Sequence, residues 1–459
     1  MNIFKDRFSE IKKASEPLYK SPKSVQETIE ILKISESGIF EVADGKYSKT
    51  YRFSDVNYAT RSEDEQESFF QRYCRCLNSF DCTFKITVNN KNKDMDVLRN
   101  EVMLKYRNDG FDKMRESYNR IIEEKILEGR QGIEQERYLT ITIERKNFEE
   151  AKAQFATIEA SMLRSFAELG SKLIPLTGNE RLKILHDYYR LGREDEFNFD
   201  ISQGRITGTD FRNEICNTRI KYHPDYFEDE GKVGRVLFIK KYPTYLSDRF
   251  FTELTFLPVH SVTSVDVVPV PKDLTMKMLQ KKYLGIESDI IKQQRTRNRN
   301  NDFSSDISYA TRQKKKDIEE IMNNVRENDE SLYYVSVTMI VMADDRDELE
   351  SICETVDAIA KGAGCAVDTC MYKQREAVNT TLPIGVRQIE TMRTMLTQSL
   401  AVLMPFNVQE LCDRNGIYYG VNQISKNIIV GNRKKLLNGN GFIFGVSGAG
   451  KGFGFAFNR

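Results

Sequence analysis

The stretch LYYVSVTMIVM (residues 332–342), followed by ADDRDELESICETVDAIAKGAGCAV (residues 343–367), decides the fold class. Its first part alternates apolar and other side chains, which predicts a strand with one face formed by Val335, Val337, Met339 and Val341. The second part has apolar residues at helical spacing, namely Leu349, Ile352, Cys353, Val356 and Ile359. Gly362 and Gly364 end that helix, and residues 365–372 predict another strand. A strand, a helix and a strand at this spacing indicate an α/β layer.

A hairpin is predicted near the start of the chain. Residues 38–43 and 46–53 are β-rich, and Asp44-Gly45 between them favours a two-residue turn because both positions tolerate positive φ. Ser62, with Glu65 three residues later, forms the capping box of a following helix.

Further elements extend this pattern. Residues 82–88 alternate and end at two asparagines, and residues 138–144 alternate as well, so both predict strands. Asn147 caps a helix whose apolar face is formed by Phe148, Ala151, Phe155, Ile158, Met162, Phe166 and Leu169. The sequence therefore predicts a polar lead-in over residues 1–20 and an α/β (α+β) N-terminal domain over residues 21–405. Whether this region is one domain or two, and whether its halves are an internal duplication, stays open.

Two charge-dense segments interrupt the alternating pattern. Residues 94–128 predict a long charged helix, and residues 285–330 predict a charged helical insertion. Basic residues such as Arg295, Arg297 and Lys315 are compatible with a contact for nucleic acid or acidic lipid. Acidic residues follow closely and few aromatic residues are interleaved, so a solvated insertion is favoured and direct nucleic-acid binding is not expected.

Composition gives no other indication of a ligand. The formal net charge is +1 over 459 residues, so no overall attraction to nucleic acid or anionic lipid follows. The chain has eight cysteines and three histidines, and neither their number nor their spacing suggests a zinc site or a disulfide framework. No apolar run approaches the ~20 residues that a membrane-spanning helix needs.

One motif indicates chemistry. The apolar strand predicted at residues 441–444 runs directly into Gly445-Val446-Ser447-Gly448-Ala449-Gly450-Lys451, which has the phosphate-loop pattern G-x-x-x-x-G-K in its required context. The glycines allow backbone N–H groups to surround the α- and β-phosphates of a nucleotide. Lys451 would reach the β- and γ-phosphates. The sequence therefore predicts a nucleotide-binding segment at residues 445–452.

Two features weaken the case for catalysis. Gly452 occupies the position where the motif usually has Ser or Thr, whose hydroxyl binds Mg²⁺. The sequence ends at Arg459, eight residues after Lys451, so neither a second metal ligand nor a water-orienting residue is expected. Residues 406–459 are therefore predicted to be the start of an incomplete RecA-like domain that does not hydrolyse ATP by itself. An interrupted gene and a partial product both explain this ending.

The order of motifs resembles that of conjugative-transfer ATPases of type IV secretion systems, the TraC, TraE and TrbE class of VirB-type enzymes. The resemblance is most specific from Leu382 to Lys451, and it includes LPIG (residues 382–385), LTQSLA (396–401) and MPF (404–406). It implies an α/β docking domain before a RecA-like ATPase domain, with ATP and Mg²⁺ as ligands of the intact enzyme. This chain by itself is expected to bind neither of them.

The same resemblance implies partners and a location. Members of this family contact membrane channel subunits and other ATPase subunits at the cytoplasmic face of the bacterial cell membrane. There they power pilus assembly and substrate transfer. This chain is accordingly expected to be a catalytically silent docking part of such an ATPase. A nucleotide-binding protein of another class, and a non-enzymatic partner of an intact homologue, are the alternatives.

Overall fold

The computed structural model describes residues 22, 24–92, 102–128, 133–299, 309–327, 329–408, 411, 413, 416–422, 428–436 and 438. The predicted lead-in (1–20), the first part of the predicted charged helix (94–101) and the predicted phosphate loop lie outside these residues. Within them the chain is a mixed α/β protein built on a large antiparallel sheet.

The strands are β1 (Ile39–Ala43), β2 (Lys46–Phe53), β3 (Thr83–Asn92), β4 (Ile133–Glu144), β5 (Leu173–Pro175), β6 (Ile220–Tyr222), β7 (Phe227–Asp229), β8 (Lys232–Lys241), β9 (Ser261–Val270), β10 (Leu332–Ala343), β11 (Ala366–Thr369), β12 (Arg393–Leu396), β13 (Ile417–Val421) and β14 (Ile428–Gly431). The helices are α1 (Glu63–Asn78), α2 (Asp112–Glu128), α3 (Phe148–Leu169), α4 (Gly178–Tyr189), α5 (Ile201–Thr207), α6 (Arg212–Ile215), α7 (Arg249–Thr255), α8 (Lys272–Arg299), α9 (Tyr309–Glu327), α10 (Arg346–Gly362), α11 (Gln374–Thr381) and α12 (Thr397–Ala401).

Twelve of these strands form one sheet in the order β1-β2-β4-β3-β9-β10-β8-β7-β6. Strand β5 adds to β2, β11 to β8 and β12 to β10. Strands β13 and β14 form a separate two-stranded sheet. Every pairing in the large sheet is antiparallel.

The large sheet consists of two halves with the same topology. In the first half, β2-α1-β3-β4-α3-β5 gives the strand order β5-β2-β4-β3, and in the second, β8-α7-β9-β10-α10-β11 gives β11-β8-β10-β9. Each is the split β-α-β arrangement of ferredoxin-like folds. Each half carries a helical insertion between its second and third strands, α2 in one and α8–α9 in the other. Strands β3 and β9 join the halves, so the possible duplication that the sequence left open is present in the topology.

Local signals correspond in the two halves. The hairpins turn at Asp44-Gly45 and at Glu230-Gly231, and both glycines have positive φ, at 68° and 88°. Helices α3 and α10 begin alike because Asn147 and Asp345 each accept a hydrogen bond from the backbone N–H three residues later. The predicted capping box is also confirmed, since Glu65 Oε2 accepts from Ser62 N at 3.4 Å.

Helices α1, α3, α7, α10 and α12 cover one face of the sheet and share a continuous apolar core with it. The predicted face of α3 is confirmed, because Ala151, Phe155 and Met162 are buried in this core. Val335 and Val337 of β10 lie in the same core. Removing such side chains from water supplies the main stabilisation of this layer.

Several predicted boundaries were wrong. Strand β3 continues to Asn92 because the Asn90 side chain is buried and donates to Thr255 O at 2.7 Å. Strand β4 starts at Ile133, five residues earlier than predicted, because its first residues pair with the end of β3. Strand β11 ends at Thr369, before Tyr372, whose φ of 59° does not suit a strand.

The charged segments are helical, but their boundaries differ from the prediction. Helix α2 starts only at Asp112, and residues 104–111 form no helix. The insertion near 285–330 is a pair of contacting helices that already begins at Lys272. Lys315 Nζ of α9 lies 3.0 Å from Glu287 Oε1 of α8, so part of its positive charge is paired within the insertion.

Candidate functional site

The predicted nucleotide-binding residues lie outside the described part of the chain; they are Gly445, Val446, Ser447, Gly448, Ala449, Gly450, Lys451 and Gly452. The structure does describe much of the chain that leads to them. Three features fix its path: a segment across the polar face of the sheet, a buried anchor at residues 404–408, and a contact between α2 and the β13–β14 sheet.

Residues 380–386 cross the sheet on the face opposite the core helices, and we call them the strap. Each of the seven strap carbonyls accepts a hydrogen bond from a side chain. The donors include Ser48 and Thr50 of β2, Thr142 of β4 and Ser264 of β9, for example Ser48 Oγ to Ile384 O at 2.6 Å. Polar side chains therefore donate the hydrogen bonds that the strap carbonyls would otherwise accept from a neighbouring strand.

Two buried cations complete the strap contacts. Lys85 of β3 donates to the carbonyls of Thr380, Leu382 and Val386, and burial lowers its pKa to about 8. Arg181 of α4 donates to Gly38 O and Ser48 O, both at 2.9 Å, and to two strap carbonyls.

The pKa of Arg181 is lowered to about 9 by burial, and its guanidinium stacks on Phe40 at 3.9 Å from the ring centroid. Buried positive charge requires such compensation. The backbone carbonyls that these cations bind are therefore held at fixed positions on the sheet.

A buried anchor follows at residues 404–408. The Phe406 ring packs edge-to-face against Phe53, Phe69 and Tyr73, with centroid distances of 5.6, 5.5 and 5.7 Å. Edge-to-face contacts of this kind add to the stabilisation from burial alone. Phe406 is 1% exposed, so this residue fixes the chain in the main core.

An ion pair holds the backbone beside Phe406. Asp55 and Arg137 approach to 2.6 Å, and both side chains are buried. Asp55 Oδ1 accepts from Asn407 N at 2.9 Å, and Arg137 Nε donates to Pro405 O at 2.7 Å. Asn407 O in turn accepts from the backbone N–H groups of the loop between β2 and α1. The anchor thus ties the strand-to-helix loop of the first half to the chain that precedes the predicted phosphate loop.

The β13–β14 sheet contacts the helical insertion of the first half. Val102, Ile122, Ile428 and Val430 are buried together in a small apolar cluster. Tyr118 Oη of α2 accepts from Tyr418 N at 3.0 Å, and burial raises the pKa of Tyr118. The insertion therefore contacts the two-stranded sheet that precedes the predicted phosphate loop in the sequence.

Replacing Ile122 by Ala is expected to loosen β13 and β14 without unfolding the large sheet. The change removes buried methyl groups from a small cluster and costs on the order of 2–4 kcal/mol locally. Hydrogen exchange should speed up at 417–421 and 428–431 and stay unchanged in β9 and β10. Equal acceleration in all four strands would contradict a separate cluster, and Tyr118→Phe is the milder companion variant because it keeps the ring.

Two further buried titratable side chains are Asp229, at the turn of the β7–β8 hairpin, and His260, just before β9. Burial raises the pKa of Asp229 to about 7, although Asn217 Nδ2 donates to its carboxylate at 2.7 Å. Burial lowers the pKa of His260 to about 4, and neither ring nitrogen has a hydrogen-bond partner among the described residues. These groups oppose each other in their effect on stability between pH 4 and 7.

Replacing Asp229 by Asn should separate the pH dependence of stability due to His260 from that due to Asp229. Between about pH 4 and pH 7 folded Asp229 keeps a proton that the unfolded chain releases, so its contribution to stability falls as pH rises. Folded His260 lacks a proton that the unfolded chain binds below about 6.5, so its contribution rises over the same range. Denaturant unfolding of Asp229→Asn should therefore show stability that increases from pH 4 to 6.5. A variant curve parallel to that of the wild type would contradict this assignment.

Other reactive groups form no site in the described residues. No cluster there of three or more His, Cys, Asp or Glu side chains could hold a metal ion. The seven described cysteines are free thiols, and burial raises the pKa of Cys74 and Cys76 to about 12. Thiols with raised pKa values are poor nucleophiles near neutral pH. Nor does any described helix combine the length and apolar character needed to cross a membrane.

Sequence reasoning missed both the strap and the anchor. A signal for the strap exists in the alternation of Ser48 with Thr50 and of Thr140 with Thr142, which places hydroxyls on one face of a buried sheet. Nothing local marks Asp55 and Arg137 as partners, because 82 positions separate them in the sequence. Comparison with protein-family models gives no match to this chain, and comparison with curated proteins gives none either.

Proposed function

We propose that this chain is the N-terminal part of a conjugative-transfer ATPase of type IV secretion systems. In contrast to the expectation that this part alone holds no nucleotide, we propose that residues 445–452 bind ATP. The observation that carries the proposal is the G-x-x-x-x-G-K pattern directly after an apolar stretch. In this proposal residues 406–459 begin a RecA-like domain. Residues 21–405 are the docking domain that contacts membrane channel subunits at the cytoplasmic face of the membrane.

The geometry of the described residues supports this division of roles. The strap, the Phe406 anchor and the α2 contact hold the chain at successive points before residue 440. A phosphate loop acts by presenting backbone N–H groups at fixed positions. Fixed contacts at described residues before the loop are consistent with that requirement.

The chemistry of the proposed family is phosphoryl transfer from ATP to water. Lys451 would neutralise charge on the β- and γ-phosphates, and the loop amides would hold the phosphate oxygens. Gly452 offers no hydroxyl to Mg²⁺, so we propose that metal contributes little to binding by this chain.

A thermal-unfolding experiment tests the proposed nucleotide binding. ATP at one hundred times its dissociation constant should stabilise the chain by ~2.7 kcal/mol. The rise in melting temperature should disappear in Lys451→Ala. No rise for the wild-type chain, or an equal rise for Lys451→Ala, would count against the proposal. A nucleotide effect with no preference among triphosphates would instead favour a nucleotide-binding protein of another class.

Replacing Gly452 by Ser is expected to make ATP binding depend on Mg²⁺. The added hydroxyl supplies the missing metal ligand, and a gain of about 1.4 kcal/mol corresponds to about tenfold tighter binding. Titrations with Mg²⁺ and with a chelator should therefore differ more for Gly452→Ser than for the wild type. The matched control is Gly454→Ser, two residues further on, which should leave the Mg²⁺ dependence unchanged.

A further inference from the structure

A groove of about 840 Å³ lies in the second half of the molecule, on the side of β12. Its walls are β12, the start of α12, the loop at residues 242–248, Phe70 of α1 and Ile321 of α9. We call it the β12 groove. It is separate from the strap, from the Phe406 anchor and from the predicted phosphate loop, so it is independent of the proposed function.

The groove runs along an open strand edge. All four β12 residues line it, and in the described part of the chain β12 pairs only with β10. One edge of β12 therefore has backbone N–H and C=O groups without a strand partner there. Open edges of this kind accept an additional strand.

The loop between β2 and α1 in the first half corresponds to the groove loop at residues 242–248, and it already binds another segment of the chain. Between β2 and α1, the N–H groups of Tyr58 and Ala59 donate to Asn407 O at 2.9 and 3.1 Å. The equivalent loop between β8 and α7 forms one wall of the β12 groove. Its N–H groups at Thr244, Tyr245 and Leu246 donate to no other described residue. The same position is thus filled in one half and open in the other.

Side chains around the groove indicate the chemistry of an occupant. Tyr245 is 85% exposed, and an exposed aromatic residue is typical of interaction surfaces. Lys241 and Arg393 are exposed on the rim. The acidic side chain among the described lining residues is Asp248, which already accepts from Tyr58 Oη at 2.9 Å. The rim is therefore positive, and acidic residues would complement it.

We propose that the β12 groove binds an extended, acidic segment of a partner protein, which adds as a strand to the free edge of β12. Main-chain hydrogen bonds to β12 supply affinity, and alternate apolar side chains of the segment enter the groove beside Tyr245. Acidic side chains of the segment face Lys241 and Arg393. The N-terminal segment of this chain is a poor candidate because residues 1–20 carry five basic and three acidic side chains.

The test begins with the full chain and a displayed library of random peptides about twelve residues long, enough for one strand. Selected peptides are synthesised, and their affinities are measured by fluorescence anisotropy. We expect peptides with alternating apolar residues and at least one acidic residue. Tyr245→Ser and Lys241→Glu should each weaken binding at least about tenfold. The matched controls Tyr372→Ser and Lys183→Glu, which change exposed residues away from the groove, should not.

N-methylated peptides show whether binding occurs by strand addition. Methylation at alternate residues in one phase removes every N–H that faces β12, whereas the other phase removes those that face solvent. One phase should abolish binding and the other should leave it within about threefold. Enrichment of no peptide, equal effects of both phases, or binding unaffected by Tyr245→Ser and Lys241→Glu would overturn the proposal.

Discussion

Gly385→Ala is expected to lower the free energy of unfolding by more than about 3 kcal/mol, a large fraction of the stability of a typical domain. Gly385 has φ of 96°, a conformation that L residues rarely adopt. A Cβ atom there would lie 2.6 Å from Ser48 Cβ and 2.7 Å from Thr142 Oγ1. Ser48 and Thr142 belong to paired strands of the sheet, so they cannot easily move away. The strap itself would have to shift, and its carbonyls would lose hydrogen bonds.

Gly170→Ala is the matched control for this prediction. Gly170 also has positive φ, at 80°, but nothing lies within 4 Å of a Cβ at that position. The control should therefore cost only the backbone strain, about 1–2 kcal/mol. Urea unfolding of both variants measures the difference. Equal losses would mean that the close approach of the strap to the sheet contributes nothing.

Asp55→Asn is expected to destabilise the protein by about 3–5 kcal/mol. Asparagine keeps an oxygen that can accept from Asn407 N, but it leaves the buried Arg137 guanidinium without its counter-charge. Urea unfolding should show the loss. Hydrogen exchange should show faster opening at Tyr58 and Ala59, whose amides bind Asn407 O.

The control for Asp55→Asn is the exposed pair between Lys46 and Glu144, whose atoms approach to 2.9 Å. Water screens that pair, so Glu144→Gln should change the free energy of unfolding by less than about 1 kcal/mol. If Asp55→Asn behaved like Glu144→Gln, the ion pair would not be what holds the anchor. Unchanged hydrogen exchange at Tyr58 and Ala59 would lead to the same conclusion, that the Asp55–Arg137 pair does not hold the anchor.

Elements set by local chemistry could be predicted from the sequence. The β1–β2 hairpin follows from Asp44-Gly45, and the starts of α1 and α3 follow from Ser62 and Asn147. The core face of β10 follows from its alternation. In each case the signal is a turn residue, a helix cap or an alternation of apolar residues within about ten residues. The folded chain keeps these local preferences.

Features set by distant pairing could not be predicted. The join between β3 and β9 unites the two halves, but residues such as Phe84 and Val267 carry no mark of their pairing. The early start of β4 depends on the late end of its neighbour β3, with which its first residues pair. The strap depends on donors from four strands and one helix, which only the finished sheet brings together. Register over such separations is decided by the whole sheet.

The candidate site likewise has one part that local sequence predicts and one part that only tertiary contacts show. The phosphate-loop motif is local and was found from its spacing, whereas Phe406 and the Asp55–Arg137 pair emerged only from tertiary contacts. LPIG and MPF carry part of the resemblance to the conjugative-transfer ATPases. The structure gives each a physical role in this chain, because Gly385 belongs to the strap and Phe406 to the anchor.

The most direct test of the account is photo-labelling with an ATP derivative that carries an azidoanilide on the γ-phosphate. If residues 445–452 bind nucleotide, mass spectrometry should place the label within residues 436–459, and excess ATP should prevent the labelling. Lys451→Ala should remove it. Label confined to residues 21–405, or labelling that survives both ATP competition and Lys451→Ala, would contradict the central claim.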